Sequence, residues 1–202
     1  WDPADGPAPA WFPEDPDSSN IDWLMRKAGR QSYRDLHAWS VSQRREFWAT
    51  MVQRLDVQFR ETSRIALDSS GGPERPQWLV GAKLNVVDSC FRAPGDSPAV
   101  IYQAEGGPIE RISVAELRSM AGRVANGLAD LGLKADDRVA IDMPMTVESV
   151  AIYLGAVAAG CPVVTVADSF APAEIAVRLG LGQARCIFTQ DFALIAAYGW
   201  AY

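Results

Sequence analysis

The sequence predicts an α/β protein: a helical N-terminal segment followed by the first βα units of a parallel open sheet. Three observations lead there. Beyond Ser113, short apolar runs alternate with amphipathic or apolar helical runs, the pattern of a parallel sheet wound by right-handed crossovers. Val163–Val166 is β-branched throughout and reads as an interior parallel strand. Ahead of Gly95, by contrast, apolar residues recur at helical spacing rather than alternating.

Taken in order, residues 1–18 hold five prolines and five acidic residues, which predicts an extended arm with Trp11-Phe12-Pro13 packed on a neighbour. Ile21–Ala28 reads as a short helix capped by Ser19 or Asn20, and Ser32–Trp39 as a second. From Val41 to Phe59 the residues Phe47, Trp48, Met51, Val52, Leu55 and Phe59 predict one amphipathic, core-facing helix. Ser69–Pro76 is a loop by composition, and Asn85 is placed to cap a helix over Val86–Phe91.

Gly95–Pro98 breaks that helix. Pro98–Ala104 and Glu110–Ile112 then predict a hairpin about Gly106-Gly-Pro108. Ser113-Val-Ala-Glu116 is a capping box opening a helix whose face carries Val114, Leu117, Ala121, Val124, Leu128 and Leu131, with Gly132 as its left-handed stop. Val139–Met143 is the next strand. Thr146 caps a helix over Val147–Ala159 that is apolar nearly all round and so buried, and Gly160 ends it. Ala171–Leu179 is a helix with Pro172 in its first turn, and Arg185–Thr189 is the last strand.

Composition narrows the function. The chain has 202 residues, 49% hydrophobic and 22% charged, with a net charge of -6. That acidity speaks against a nucleic-acid partner, which needs a basic stripe, and against an anionic membrane surface. The longest apolar run, Val147–Val166, is interrupted by Glu148, Ser149, Gly160 and Pro162 and does not read as a membrane span. Cys90, Cys161 and Cys186 are odd in number and widely spaced. They read as structural thiols of a reducing, intracellular compartment rather than disulfides or metal ligands. His37 is the only histidine, which weakens any metal or Ser-His-Asp reading.

A dinucleotide fold is the obvious competitor. No G-x-G-x-x-G follows a strand: Val139–Met143 is followed by Pro-Met-Thr, and Val163–Val166 by Ala-Asp-Ser. No Walker A run occurs either. Asp168-Ser169 is the sole acid–hydroxyl pair in a strand-end loop, a position of interest because open α/β sheets bind ligands beyond the carboxyl ends of their strands. The plainer role of Asp168-Ser169 is the N-cap of the helix that follows.

Trp78-Leu-Val-Gly-Ala-Lys-Leu-Asn85 resembles the Trp–Gly–Leu–Asn signature near the front of acetyl-CoA synthetase-like enzymes. Arg138-Val-Ala-Ile-Asp-Met-Pro-Met-Thr146, Ala167-Asp-Ser-Phe-Ala-Pro172 and Phe188-Thr-Gln-Asp-Phe192 are similar to plant acyl-activating enzymes of the peroxisomal subgroup. Trp1-Asp-Pro3 and Trp11-Phe12-Pro13 fit the same group. The likeness runs in order to about Phe192. It implies an N-terminal portion of an acyl-CoA synthetase, an AMP-dependent ligase, and hence part of an adenylate-forming N-terminal domain. Its domains would be an arm over 1–30, an acetyl-CoA synthetase-like helical segment over 31–95, the truncated start of the AMP-binding domain over 96–192, and a divergent tail over 193–202.

For the full-length parent the resemblance implies a carboxylate substrate, ATP, Mg²⁺ and CoA. An acyl-adenylate forms first, and the CoA thiol then displaces AMP. It also implies that Ala167, Asp168 and Ser169 touch the CoA nucleotide. The family's phosphate loop, its adenine and ribose motifs and its catalytic lysine find no match here, and Ser69–Pro73 only superficially resembles the phosphate loop. Where relatives carry arginines after the last strand, this chain has Leu194, Ile195 and Tyr198, which offer a phosphate neither the charge nor the planar fork. The expectation is a fragment inert by itself. The other reading is a non-catalytic paralogue that binds CoA or a partner protein, such as a full-length relative. The subgroup implies a peroxisomal parent, although Gly199–Tyr202 is no peroxisomal tripeptide.

Overall fold

The computed structural model describes residues 13–104, 106–167 and 169–191. The expected docking of Trp11-Phe12 and the divergent tail lie outside them. The chain divides into two compact units, residues 1–57 with 61–82, and residues 58–60 with 83–202.

The first unit is mostly helical. After a 3-10 turn at Pro16–Ser18 come α1 (Asn20–Ala28), α2 (Tyr33–Ser42) and α3 (Arg44–Arg54). Ser19 and Ser32 cap α1 and α2 by accepting from the amides of Asp22 and Asp35, both at 3.1 Å. Leu24, Leu36 and Trp39 form the core.

The single helix expected over 41–59 is two pieces. Val41 belongs to α2, Gln43 leaves helical geometry (φ -112°, ψ 50°), and α3 ends at Arg54 before the left-handed Asp56 (φ 47°). Ser42 Oγ donates back to the Ala38 carbonyl at 2.8 Å, a bond that competes with continued helix. The bend lets Phe47 meet Trp39 edge-on at 5.9 Å. No α3 residue is fully buried, and Trp48 is 42% exposed.

Beyond α3 lies a hairpin that the sequence reading missed. Strand β1 (Ile65–Asp68) pairs antiparallel with β2 (Gln77–Val80), with Leu67 opposite Trp78. Arg45 Nε donates to the Leu67 carbonyl at 2.9 Å, and Trp48 meets Trp78 edge-on at 5.4 Å.

The second unit holds α4 (Val86–Cys90), β3 (Pro98–Gln103), β4 (Ile109–Ser113), α5 (Val114–Asp130), β5 (Val139–Asp142), α6 (Val147–Ala158), β6 (Val163–Val166), α7 (Pro172–Gly182) and β7 (Cys186–Thr189). Asn85 caps α4, accepting from the Val87 amide at 3.1 Å. Its Nδ2 donates to the Val157 carbonyl in the last turn of α6 at 2.7 Å, where the Gly160 amide also donates at 3.0 Å. Strands β3 and β4 form the expected hairpin.

The Ser113–Glu116 capping box is present, and Gly132 is left-handed at φ 81°. Along α5, Val114, Leu117, Ala121 and Leu128 are buried. Leu131 is not: it sits past the last turn and is 71% exposed. Helices α5 and α6 approach closely at Gly155, where a Cβ would lie 2.6 Å from Val124 Cβ and 2.7 Å from the Ala121 carbonyl oxygen. Helix α6 is buried on one side only, and Tyr153 is 45% exposed.

Strands β5, β6 and β7 form a parallel sheet in the order β6-β5-β7. The interior strand is therefore β5, whose Val139 and Ala140 are 0% exposed. Val163–Val166, expected inside, stands at one edge of the described sheet. Its β-branched run does not mark pairing on both sides, and of its four residues only Val166 is fully buried while Thr165 is exposed.

Candidate functional site

Register fixes the site. Asp142 pairs with Val166 on one side and with Thr189 on the other, so the three carboxyl ends lie level. From β5 the chain crosses through α6 to β6, then returns past β5 through α7 to β7. The direction of winding reverses at β5, which makes the carboxyl end of this sheet a topological switch point.

Of the three candidate contact residues, Ala167 and Ser169 lie just past β6 and are exposed; Asp168 is outside the described residues. The Phe170 amide donates to the Ala167 carbonyl at 3.0 Å and closes a turn. Ser169 is not the expected cap: Ala171 holds the N-cap position of α7, and the Asp168 half of that expectation lies outside the described residues. Pro172 at the first helical position fixes the helix start one residue after Ala171, which leaves Ser169 too early to cap it. Glu174 Oε2 accepts from the Ala171 amide at 3.3 Å, but Ala171 has no side-chain oxygen to return a bond.

Over this turn the Arg178 guanidinium stacks on the Phe170 ring, 3.8 Å from its centroid. The sequence reading did not single out this pair. No helical spacing signals it, because Phe170 lies in the turn before the N-cap of α7 and only Arg178 is on the helix.

Beside the turn, a cavity of about 350 Å³ opens against α6. Ile141, Met143, Met145, Tyr153 and Leu154 line it, with Thr165 from β6. The Ser149 hydroxyl at its wall is fully engaged in the α6 cap. It donates to the Thr146 carbonyl at 2.8 Å and accepts the Thr146 amide at 3.0 Å, so it is no nucleophile. The cavity is apolar and suits a binding surface rather than acid–base chemistry.

Of the thiols expected to be buried, only Cys161 is; Cys186 is half-buried and Cys90 is exposed. All three cysteines are free, and Cys161 is buried with its thiol toward the Lys134 carbonyl, 3.6 Å away. Burial first, and Asp137 next, push that thiol up, away from the reactive thiolate. His37 is exposed. Among the described residues no three His, Cys, Asp or Glu side chains converge, and the phosphate-gripping run is missing from the sequence. The described residues therefore do not by themselves fit a site for ATP with Mg²⁺. No helix among the described residues is long and apolar enough to cross a membrane.

At the opposite end of the sheet Arg138 ties α7 to β5. Its guanidinium donates to the Gly182 carbonyl at 3.3 Å and the Gln183 carbonyl at 3.1 Å, placing a cation at a helix C-terminus.

Known proteins share this arrangement. The family described as AMP-binding enzyme matches residues 87–198, and the acetyl-coenzyme A synthetase N-terminus matches residues 33–90. The chain is 36% identical over 205 residues to the probable acyl-activating enzyme 17, peroxisomal, of Arabidopsis thaliana, covering 91% of this chain and 28% of the relative. It is 33% identical to a hexanoyl-CoA synthase of Cannabis sativa, covering 92% and 29%. The solved acetoacetyl-CoA synthetase from Streptomyces lividans superposes with a TM-score of 0.80 at 27% identity, covering 91% of this chain and 30% of that one. The chain thus spans less than a third of the length of these relatives.

Proposed function

The chain belongs to the AMP-binding enzyme family, and from that premise we propose that it is the N-terminal portion of an ATP-dependent acyl-CoA ligase, inert by itself. The parent joins a carboxylate to CoA, driven by ATP. This portion supplies the helical front and the first strands of the adenylation domain. Ala167, Asp168 and Ser169 form the contact for the CoA nucleotide.

One observation carries the reading. The two family matches follow each other along the chain, and the second includes the level-ended parallel sheet whose switch point bears this loop. The ATP-gripping residues are not among those present, so binding without turnover is the activity left to this portion. A peroxisomal parent is supported by the names of the Arabidopsis relatives.

Two measurements test the reading together. The purified chain is expected to show no ATP–pyrophosphate exchange with short, medium or aromatic carboxylates. CoA is expected to raise its melting temperature. Exchange above background refutes inertness, and a melt that CoA leaves in place refutes the CoA contact. A CoA-dependent shift without exchange is also what a free-standing, non-catalytic CoA binder would give.

A further inference from the structure

We propose that Arg178 is a positioning residue: by stacking on Phe170 it holds the turn after β6 in the geometry that receives the nucleotide part of CoA. The inference rests on the CoA contact proposed above and adds the means by which that contact is kept in shape.

The need for such a clamp follows from the cap of α7. A helix N-terminus leaves amides unpaired, and a Ser, Thr, Asp or Asn at the cap normally supplies an oxygen. Here Ala171 supplies none, and its own amide reaches Glu174 only at 3.3 Å. The turn before it would fray with the first turn of α7 unless something else fixed it.

Phe170 stands at the right place, one residue before the cap. Its amide is bonded to the Ala167 carbonyl at 3.0 Å, and its ring lies under the Arg178 guanidinium at 3.8 Å from the centroid. This is the closest guanidinium–ring pair among the described residues; the others stand at 4.6, 5.4 and 5.9 Å. Arg178 is half-buried, and its Nη1 also lies 3.5 Å from the Glu174 carbonyl, so its side chain is held along the helix axis. A residue in the middle of α7 thereby fixes the direction in which the backbone leaves β6. Ala167 and Ser169 point where that turn sends them.

The test uses the full chain with Arg178→Met, which keeps most of the stem and removes the planar cation, and with Phe170→Leu, which removes the ring. Hydrogen exchange is read at the amides of Phe170 and Ala171, and CoA and dephospho-CoA affinities by calorimetry. A clamp of cation–π strength predicts exchange faster by about 3- to 10-fold at those amides in either variant, with the β5 amides unchanged. It predicts affinities weaker by the same factor for both ligands, because a misplaced turn does not distinguish them.

Unchanged exchange overturns the inference. So does a loss confined to CoA, which would make Arg178 a direct partner of the extra phosphate. If Arg178→Met does not fold, Phe170→Leu carries the test. A wild-type chain that binds neither ligand while the exchange arm behaves as expected removes the CoA reading and leaves the clamp standing.

Discussion

Two single positions concentrate the local energetics. Gly155 lets α5 and α6 touch backbone to side chain, and a methyl group there would overlap both Val124 and the Ala121 carbonyl. Neither neighbour is the free end of a flexible side chain, so the helices must separate. Gly155→Ala is expected to destabilise the chain by about 1–3 kcal/mol, read from urea melts, despite the better helix propensity of alanine. Ala171 is the opposite case, a cap position left without its oxygen. Ala171→Ser is expected to stabilise the chain by about 0.5–1 kcal/mol; an unchanged midpoint would mean that the first turn of α7 is already held as firmly as a cap could hold it.

At the scale of elements, two carboxylates join pieces of structure and carry a pH dependence. The Ser113 hydroxyl, and then its amide, hold Glu116 below the usual carboxylate range at the start of α5. The Lys134 amide first, and then the Arg185 guanidinium at 2.8 Å, do the same for Asp137 between α5 and β5. A depressed folded-state pKa contributes stability that is complete above the unfolded value and is lost as pH falls through the folded one. The melting temperature should therefore fall as pH drops below about 4, and Asp137→Asn should make that slope shallower while lowering the melt at neutral pH.

These elements also show what a sequence makes legible. Ser113–Glu116, Thr146, Asn85, Gly132 and Gly160 act within a few residues of themselves, and each is found doing what its chemistry dictates. The break at Gln43 escaped because the aromatic periodicity runs straight through it, and the reason for the break, Phe47 against Trp39, lies in packing. The β1–β2 hairpin escaped because its strands are four residues each and its turn is long. The edge position of β6 is a fact of strand order, which no local pattern encodes. At the candidate site, the location of the loop was legible from strand ends, whereas its anchoring by Arg178 required knowing that Ala171, not Ser169, holds the cap of the helix.

For the molecule as a whole, β6 and β7 each pair on one side only among the described residues. Unpaired edges offer amides and carbonyls to other chains. Sedimentation at rising concentration is expected to show growing association, and Thr165→Lys on the exposed edge of β6 should reduce it. Association that ignores this substitution would point to another surface, such as the apolar hollow of about 380 Å³ beside Trp48 and Trp78 in the first unit.

The central place of β5 has a consequence in time. It is made first of the three strands but is flanked by the two made after it. Forty-seven residues separate Asp142 from Thr189, so at about 5–20 residues per second a ribosome needs roughly 2–9 seconds between finishing β5 and finishing its last neighbour. Throughout that interval a strand whose Val139, Ala140 and Ile141 end up buried has at most one of its two partners. The apolar side chains of β5 thus stay without the sheet that covers them until the stretch between Asp142 and Thr189 has been translated.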